Sequence, residues 1–393
     1  MTAVTGVAST RPALSFDRWE LAGAFADIGV LVPIAVALIV QNGLSPTAVL
    51  LPAGLLYVGA ATLYGLPIPV QPLKAFGAIA IAQGLGVEEI AAGALLMGVI
   101  FLTLGATGLV DLATRAFPKP LVRGVQLTVG LLFLKIAWGL VADPPAAFDT
   151  HGLPRGWLVV AGFAVFASLL LRRRVPVPLG LVGIAIVVIA VTADSPAALG
   201  PSELVLPSLD GAAFWAAFTV LVLPQLPLTF ANSCLATADA ARSYFGESAE
   251  RVRPGRLATT LGGANLLSGA IGGMPVCHGA GGLTAHVSFG ARTAGAPLAI
   301  GGLLLLVAVG FGGGLGALLA AFPLPILAGL LAGAGILHIG LLRDLPRGPE
   351  LTLALLIGAI GFATNLALAL AVGLAVWWGA VALRSVLLDD SPD

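Results

Sequence analysis

Apolar segments follow one another along almost the whole chain, and this pattern most constrains what the chain can fold into. Only 10% of the 393 residues are charged and 58% are hydrophobic, whereas a soluble domain carries about 25% charged residues. A helix needs about 20 apolar residues to cross a bilayer. The sequence therefore predicts a polytopic protein in a lipid bilayer and excludes a soluble enzyme, a disordered chain and a nucleic-acid partner.

Fourteen apolar segments can be distinguished, and they predict an all-α membrane protein. They lie at about 20–41, 47–66, 70–84, 90–111, 120–141, 156–171, 177–194, 212–237, 256–273, 277–289, 296–320, 322–341, 350–364 and 366–388. Segments 70–84 and 277–289 are too short to span a bilayer as helices. With residues 1–18 in the cytoplasm, 16 of the 19 lysines and arginines lie on the cytoplasmic side, as the positive-inside rule requires. Omitting either short segment would spoil this bias, so we expect 14 crossings and two cytoplasmic termini.

The chain also repeats itself at an offset near 205 residues. Pro69–Pro72 (PVQP) leads the first short segment, and Pro275–His278 (PVCH) leads the second. Phe117–Gly124 (FPKPLVRG) recurs as Phe322–Gly329 (FPLPILAG). Seven segments in each half force the second half to be inverted, which is typical of secondary transporters; the alternative is accidental similarity of Gly- and Pro-rich apolar sequence. The predicted inverted repeats are 19–205 and 206–388.

Each short segment begins with prolines, which favour an extended stretch followed by a half-helix. We expect the change near Pro72 in the first and near Val276 in the second. If inversion brings the halves face to face, two helix N-termini with free N–H groups point at one spot and favour an anion. Lys74 adds a full positive charge there. The alternative is that the prolines only kink ordinary helices.

Polar residues within the other apolar segments are candidates because placing them in a membrane is costly. Gln225, Thr229 and Asn232 recur at spacings of four and three, which puts them on one helix face. Asp27 occupies nearly the place in the first half that Asn232 occupies in the second. The structural alternatives are an ion pair between Asp27 and Lys74 or an arginine, and hydrogen bonds across helices for the two amides.

Cys277 and His278 stand where the second half-helix starts. Contact with a ligand is one interpretation; a small apolar filler and a satisfied core histidine are the others. His286 and His338 fit structural or interfacial roles better. The cysteines form no disulfide framework or metal site, and no nucleophile and base stand in a usable pair. We therefore expect no metal, no cofactor and no enzymatic activity.

The same strings resemble the molybdate transporter family, a branch of the sulfate permease superfamily. Pro67–Lys74 (PIPVQPLK) resembles its first signature, and Pro275–Leu283 (PVCHGAGGL) with Phe289–Thr293 (FGART) resembles its second. Phe25–Gly29 (FADIG) and the stretch 225–233 resemble the family's first and eighth helices. The resemblance implies a seven-plus-seven inverted-repeat fold, with a core domain, a gate domain and elevator-like transport.

By this resemblance the core domain lies at about 19–112 and 206–320, the gate domain lies at about 113–205 and 321–388, and no C-terminal regulatory domain follows. We expect a secondary transporter of the inner or plasma membrane that moves a tetrahedral oxyanion, most simply molybdate. The expected substrate-binding residues are Gln71, Lys74, Ala75, Gln225, Thr229, Asn232, Cys277, His278, Gly279 and Ala280, with Asp27 as a coupling or supporting group. Transport of sulfate or another anion, or an anion channel, is the alternative. A homodimer through the gate domain is compatible with the sequence, but no residue pattern requires it.

Overall fold

Helices make up most of the computed structural model, which describes residues 12–25, 28–110, 112, 117–148, 160–163, 167, 177–192 and 198–389. The first half contains α1 (Arg18–Ala24), α2 (Ile28–Val40), α3 (Pro46–Tyr64), β1 (Gln71–Pro72), α4 (Lys74–Gln83), α5 (Val87–Thr107), α6 (Lys119–Ala142) and α7 (Val177–Thr192). The second half contains α8 (Gly211–Ala249), α9 (Pro254–Ala270), β2 (Val276–Cys277), α10 (Ala280–Ser288), α11 (Gly295–Gly310), α12 (Gly312–Ala320), α13 (Leu324–Ile339), α14 (Pro349–Ala363) and α15 (Leu366–Asp389).

Six helices of the described ranges are long and apolar enough to cross a membrane, and the number rises to eight if each of two bent pairs forms one span. The six are α3, α5, α6, α8, α13 with the turn that follows it, and α15. The 14 crossings therefore stay a prediction, because other predicted segments correspond to shorter helices and segment 156–171 lies mostly outside the described residues.

The predicted segment 296–320 is not one straight helix, because α11 and α12 meet at an angle of 94°. At the junction Phe311 leaves the helical region with φ −133° and ψ 1°. Gly310 and the glycines that follow Phe311 explain the break, since glycine costs about 1 kcal/mol relative to alanine inside a helix.

The two short segments meet in the middle of the molecule, where β1 pairs with β2 in antiparallel register. Gln71 lies opposite Cys277, and Pro72 lies opposite Val276. The Leu73 N–H then donates to the Pro275 carbonyl at 3.1 Å. Both strands pass directly into helices α4 and α10, as the placement of the prolines predicts. Within a membrane, such extended backbone is tolerated only where protein satisfies its polar groups, and here each segment satisfies the other.

A buried side chain of α9 completes the hydrogen bonds of β2. Asn265 Nδ2 donates to the Val276 carbonyl at 2.9 Å, and the Val276 N–H donates to Asn265 Oδ1 at 2.7 Å. Ser268, one turn further along α9, donates to the Met274 carbonyl at 2.9 Å. Asn265 thus satisfies both backbone groups of Val276, which a neighbouring strand would satisfy in a larger sheet.

Helices of the two halves pack on one another in reciprocal pairs, α3 on α11 and α5 on α9. In the predicted order these pairs join the second segment of each half to the fourth segment of the other. A two-fold relation between inverted halves produces this reciprocity. The α5–α9 contact is very close, because a methyl group at Gly262 would meet the Leu102 backbone. The division into core and gate domains stays a prediction.

We predict that Asn265→Leu lowers the thermal melting temperature of the purified protein strongly. The change leaves two buried backbone groups without partners, at about 1–3 kcal/mol each. Asn265→Asp, which keeps an acceptor for the Val276 N–H and loses the donor, should fall between wild type and the leucine variant. Asn365→Leu, at an exposed helix cap, is the control and should cost only about 1 kcal/mol. Equal melting temperatures for the two leucine variants would contradict the role of Asn265.

Candidate substrate-binding site

Lys74 is the first residue of α4 and lies directly after the paired strands. Its Nζ atom donates to Gln71 Oε1 at 2.6 Å. No carboxylate of the described residues forms an ion pair with Lys74. Because the first N–H groups of a helix have no partner within it, the start of α4 combines these donors with a complete positive charge.

Gln225 supports the start of α4 through a hydrogen bond to its backbone. Its Oε1 atom accepts from the Phe76 N–H at 3.0 Å, and its Nε2 atom donates to Thr229 Oγ1 at 3.0 Å. Both side chains are buried. The predicted shared face of Gln225 and Thr229 is therefore occupied by a closed set of hydrogen bonds that caps α4. Thr229 also begins a π-helical stretch of α8, a feature frequent at functional sites.

Asn232, further along this stretch, reaches the start of α10. A methyl group at Gly279 would overlap Gln71 Oε1 and would lie 3.3 Å from Asn232 Nδ2. Only glycine fits between these two amides. Gln71, Asn232 and Gly279 are thus brought together from three elements, as the sequence predicts for a joint site.

His278 points away from this meeting point. Its Nδ1 atom lies 2.9 Å from the Pro69 carbonyl, and its Nε2 atom lies 3.0 Å from Thr260 Oγ1. Tyr64 Oη lies 2.9 Å from the same hydroxyl. A carbonyl only accepts, so Nδ1 donates and, in the neutral ring, Nε2 accepts. This geometry favours the satisfied core histidine.

A cavity of about 1370 Å³ opens beside the starts of α4 and α10. Four of the predicted residues line it, namely Gln71, Lys74, Asn232 and Ala280. A recess of about 10 Å³ adjoins it, and Gln225 and Cys277 take part in the wall of that recess. The other described residues of the predicted site line neither the cavity nor the recess; they are Ala75, Thr229, His278 and Gly279. Asp27 lies outside the described residues.

Charged side chains of both signs also line the cavity. Arg123 donates from Nε to Asp344 Oδ1 at 2.8 Å and from Nη2 to Oδ2, and Lys119 Nζ lies 3.2 Å from the same carboxylate. Asp239 lines the cavity from α8. Because Asp344 is shared by two cations, the field of Lys119 and Arg123 is partly neutralised before it reaches Lys74.

Residues 19–133 and 217–337 match the family described as "Molybdate transporter of MFS superfamily". These ranges include both strands, both half-helix starts and every described residue of the predicted site. The chain belongs to this molybdate transporter family. The resemblance stated from the sequence is confirmed, and the family consists of transporters rather than enzymes.

Curated relatives support the same assignment. Molybdate transporter 1 of Arabidopsis thaliana is 28% identical to this member of the family, over 90% of this chain and 86% of its own length. Molybdate transporter 2 of the same plant is 29% identical, over 81% of this chain and 77% of its own length. Molybdate transporter 1 of Chlamydomonas reinhardtii is 29% identical over 84% of this chain and 85% of its own.

Solved structures identify the fold of this molybdate transporter family member. The transmembrane domain of the cyanobacterial bicarbonate transporter BicA has a TM-score of 0.59 and 20% identity, covering 91% of this chain and 96% of that one. The murine Slc26a9 anion transporter in the inward-facing state has a TM-score of 0.67 and 15% identity, covering 95% and 70%. At these identities the likeness concerns the fold alone. Family and fold together support anion transport by a multi-pass membrane protein.

Two cavity residues of this family member were missed as site candidates. Gln126 of α6 and His338 of α13 line both the cavity and the recess, facing Lys74 and Asn232. The criterion that selected Gln225, a polar side chain within an apolar segment, also selects Gln126. The sequence favours a structural or interfacial role for His338, and its Nδ1 atom does bond the Ala334 carbonyl at 2.9 Å, yet the residue also lines the cavity.

We predict that His278→Ala lowers the melting temperature and leaves the anion affinity of the folded protein unchanged. The reason is that both ring nitrogens bond protein groups behind the cavity, so the variant loses internal hydrogen bonds and no ligand contact. Thermal unfolding and calorimetric titration on the same preparation measure the two quantities. A large loss of affinity at an unchanged melting temperature would assign His278 to the ligand instead.

Proposed function

We propose that the protein is a secondary transporter for a tetrahedral oxyanion, most simply molybdate. The anion binds at the inner end of the cavity, between the starts of α4 and α10. The observation that carries the proposal is the pairing of β1 with β2, because it fixes two helix N-termini and the Lys74 ammonium group beside one cavity. Similarity to the molybdate transporters of Arabidopsis and Chlamydomonas favours molybdate over other anions.

Electrostatics favours an anion at this point for three separate reasons. Each helix N-terminus carries roughly half a positive charge, and Lys74 contributes a whole one. Gln71 and Asn232 supply amide groups that do not titrate. Among the described residues, the carboxylates that line the cavity are Asp239 and Asp344, which come from the later part of α8 and the turn after α13 rather than from the half-helix starts. A dianion placed against α4 and α10 therefore meets donors on the side where it needs them.

The proposed transport movement follows from which elements line the cavity. The half-helices belong to the proposed core domain, and α6 and α13 belong to the proposed gate domain. Lys119 and Arg123, which line the cavity, belong to the side that the positive-inside rule places in the cytoplasm, together with both termini. The cavity then opens inward in an inner or plasma membrane. An elevator-like displacement of the core against the gate would carry the same site to the other side.

Titration of the purified protein with molybdate, sulfate and uracil at two pH values tests the proposal. We expect saturable binding of molybdate. Uracil tests for a nucleobase transporter, whose site would be expected to use carboxylates on the eighth and tenth segments. We expect no binding of uracil, since no carboxylate is available on α8 or α10 beside the half-helix starts. Tighter binding of sulfate would favour the alternative substrate. Flux into proteoliposomes separates a transporter from a channel, since a transporter saturates and gives no single-channel currents.

We predict that Lys74→Ala weakens molybdate binding by at least about tenfold, because a hydrogen bond to a charged group and a full charge are lost together. Lys74→Arg keeps the charge and should retain part of the affinity. Lys135→Ala is the matched control, since Lys135 also lies within an apolar segment but is exposed away from the cavity. Calorimetry on folded protein measures all three. Wild-type affinity in the Lys74→Ala variant would refute the electrostatic part of the proposal.

A further inference from the structure

Gln126 is a nearly buried amide on α6, a helix that packs against the half-helix α4. It is 6% exposed, and it lines both the large cavity and the adjoining recess. Lys74, Gln225 and Asn232 line the same recess from α4 and α8. With a volume of about 10 Å³, the recess holds at most a single water molecule, so the groups around it stand close to one another.

The orientation of the Gln126 amide is fixed by Arg123 and Asp344, which line the same cavity. Arg123 Nη1 donates to Gln126 Oε1 at 2.8 Å. A guanidinium group has donors and no acceptor, so the amide atom that it contacts must be the oxygen. Arg123 in turn is held by Asp344 through Nε and Nη2. This chain of contacts directs the Gln126 NH₂ group away from Arg123.

The Gln126 NH₂ group has two N–H donors and no acceptor among the described residues, whereas its oxygen is already used. The Gln126 nitrogen is also not among the fully buried side-chain atoms that have no hydrogen-bond partner. The donors therefore face the open space of the cavity and recess. A polar residue would be costly on this apolar helix unless a ligand or water used these donors.

We propose that Gln126 donates to the transported oxyanion from the gate side and completes a shell that the two half-helices provide only in part. This inference rests on the proposed function. A tetrahedral oxyanion has four oxygens, and those that point away from α4 and α10 need donors on other elements that line the cavity. Gln126 supplies donors there without adding charge. Arg123 acts as a positioning residue, because it fixes which end of the amide faces the anion.

Isothermal titration of the purified full-length protein with sodium molybdate tests this proposal. Gln126→Met preserves the length of the side chain and removes its donors, and we expect affinity to fall about tenfold. Gln126→Glu keeps the bond to Arg123 and turns a carboxylate oxygen toward the anion, so we expect a loss of about a hundredfold or more. Gln83→Met, at an exposed position at the end of α4, is the matched control and should bind as wild type does.

A double-variant cycle with Arg123→Met separates positioning from a general effect of charge. If Arg123 acts through Gln126, Arg123→Met weakens binding in wild type and has a clearly smaller effect in the Gln126→Met background. Equal effects in both backgrounds would remove the positioning role. Thermal unfolding of each variant shows that the folded protein is being compared.

The outcomes distinguish this inference from the proposed function. If the wild type binds neither molybdate nor sulfate, the proposed function fails. If the wild type binds and Gln126→Met binds equally well, the proposed function stands and the role of Gln126 is overturned. Should Gln126→Met not fold, Gln126→Glu decides alone, because it retains the shape and the Arg123 contact, and unchanged affinity in that variant overturns the inference.

Discussion

The pairing of β1 with β2 is the contact on which the rest of the structure depends. Two stretches of extended backbone lie inside a bundle that has no bulk water to hydrogen-bond them, so each must find partners in protein. Antiparallel pairing satisfies both at once and fixes where α4 and α10 begin. These backbone hydrogen bonds determine where the two helix N-termini lie. The positions of the N-termini in turn determine the electrostatic character of the cavity.

Several buried polar side chains serve this same backbone. Asn265 bonds both polar groups of Val276, Gln225 caps the first turn of α4, and His278 bonds the carbonyl of Pro69 before β1. A polar residue in a membrane helix is costly wherever it stands, and here the cost is offset by satisfying an irregular segment. Polar residues near a broken helix therefore divide into those that hold it and those, such as Lys74 and Asn232, that face the cavity.

The sequence predicted the local elements better than the direction of side chains. Proline placement located the change from strand to helix at both short segments, and the four-residue spacing placed Gln225 beside Thr229. The bond from the Phe76 N–H to Gln225 spans 149 residues, and no local pattern indicates it. Gln126 differs, because it meets the same local criterion as Gln225, and what the sequence does not show is that α6 brings it to the recess lined by Lys74 and Asn232. The number of crossings depends partly on segment 156–171, most of which the structure does not describe.

Selection among anions of this shape cannot rest on charge. Molybdate and sulfate are both tetrahedral dianions, so at the proposed site Lys74 and the two helix N-termini would attract them by similar amounts. Discrimination there would come from the separation between donors on different helices, because a larger anion reaches both sets of donors where a smaller one leaves a gap. The strand pairing and Gln225 fix the start of α4, on one side of the proposed site. The contacts from Asp344 through Arg123 hold Gln126 on α6, so at the proposed site the distance between α4 and α6 would select the substrate.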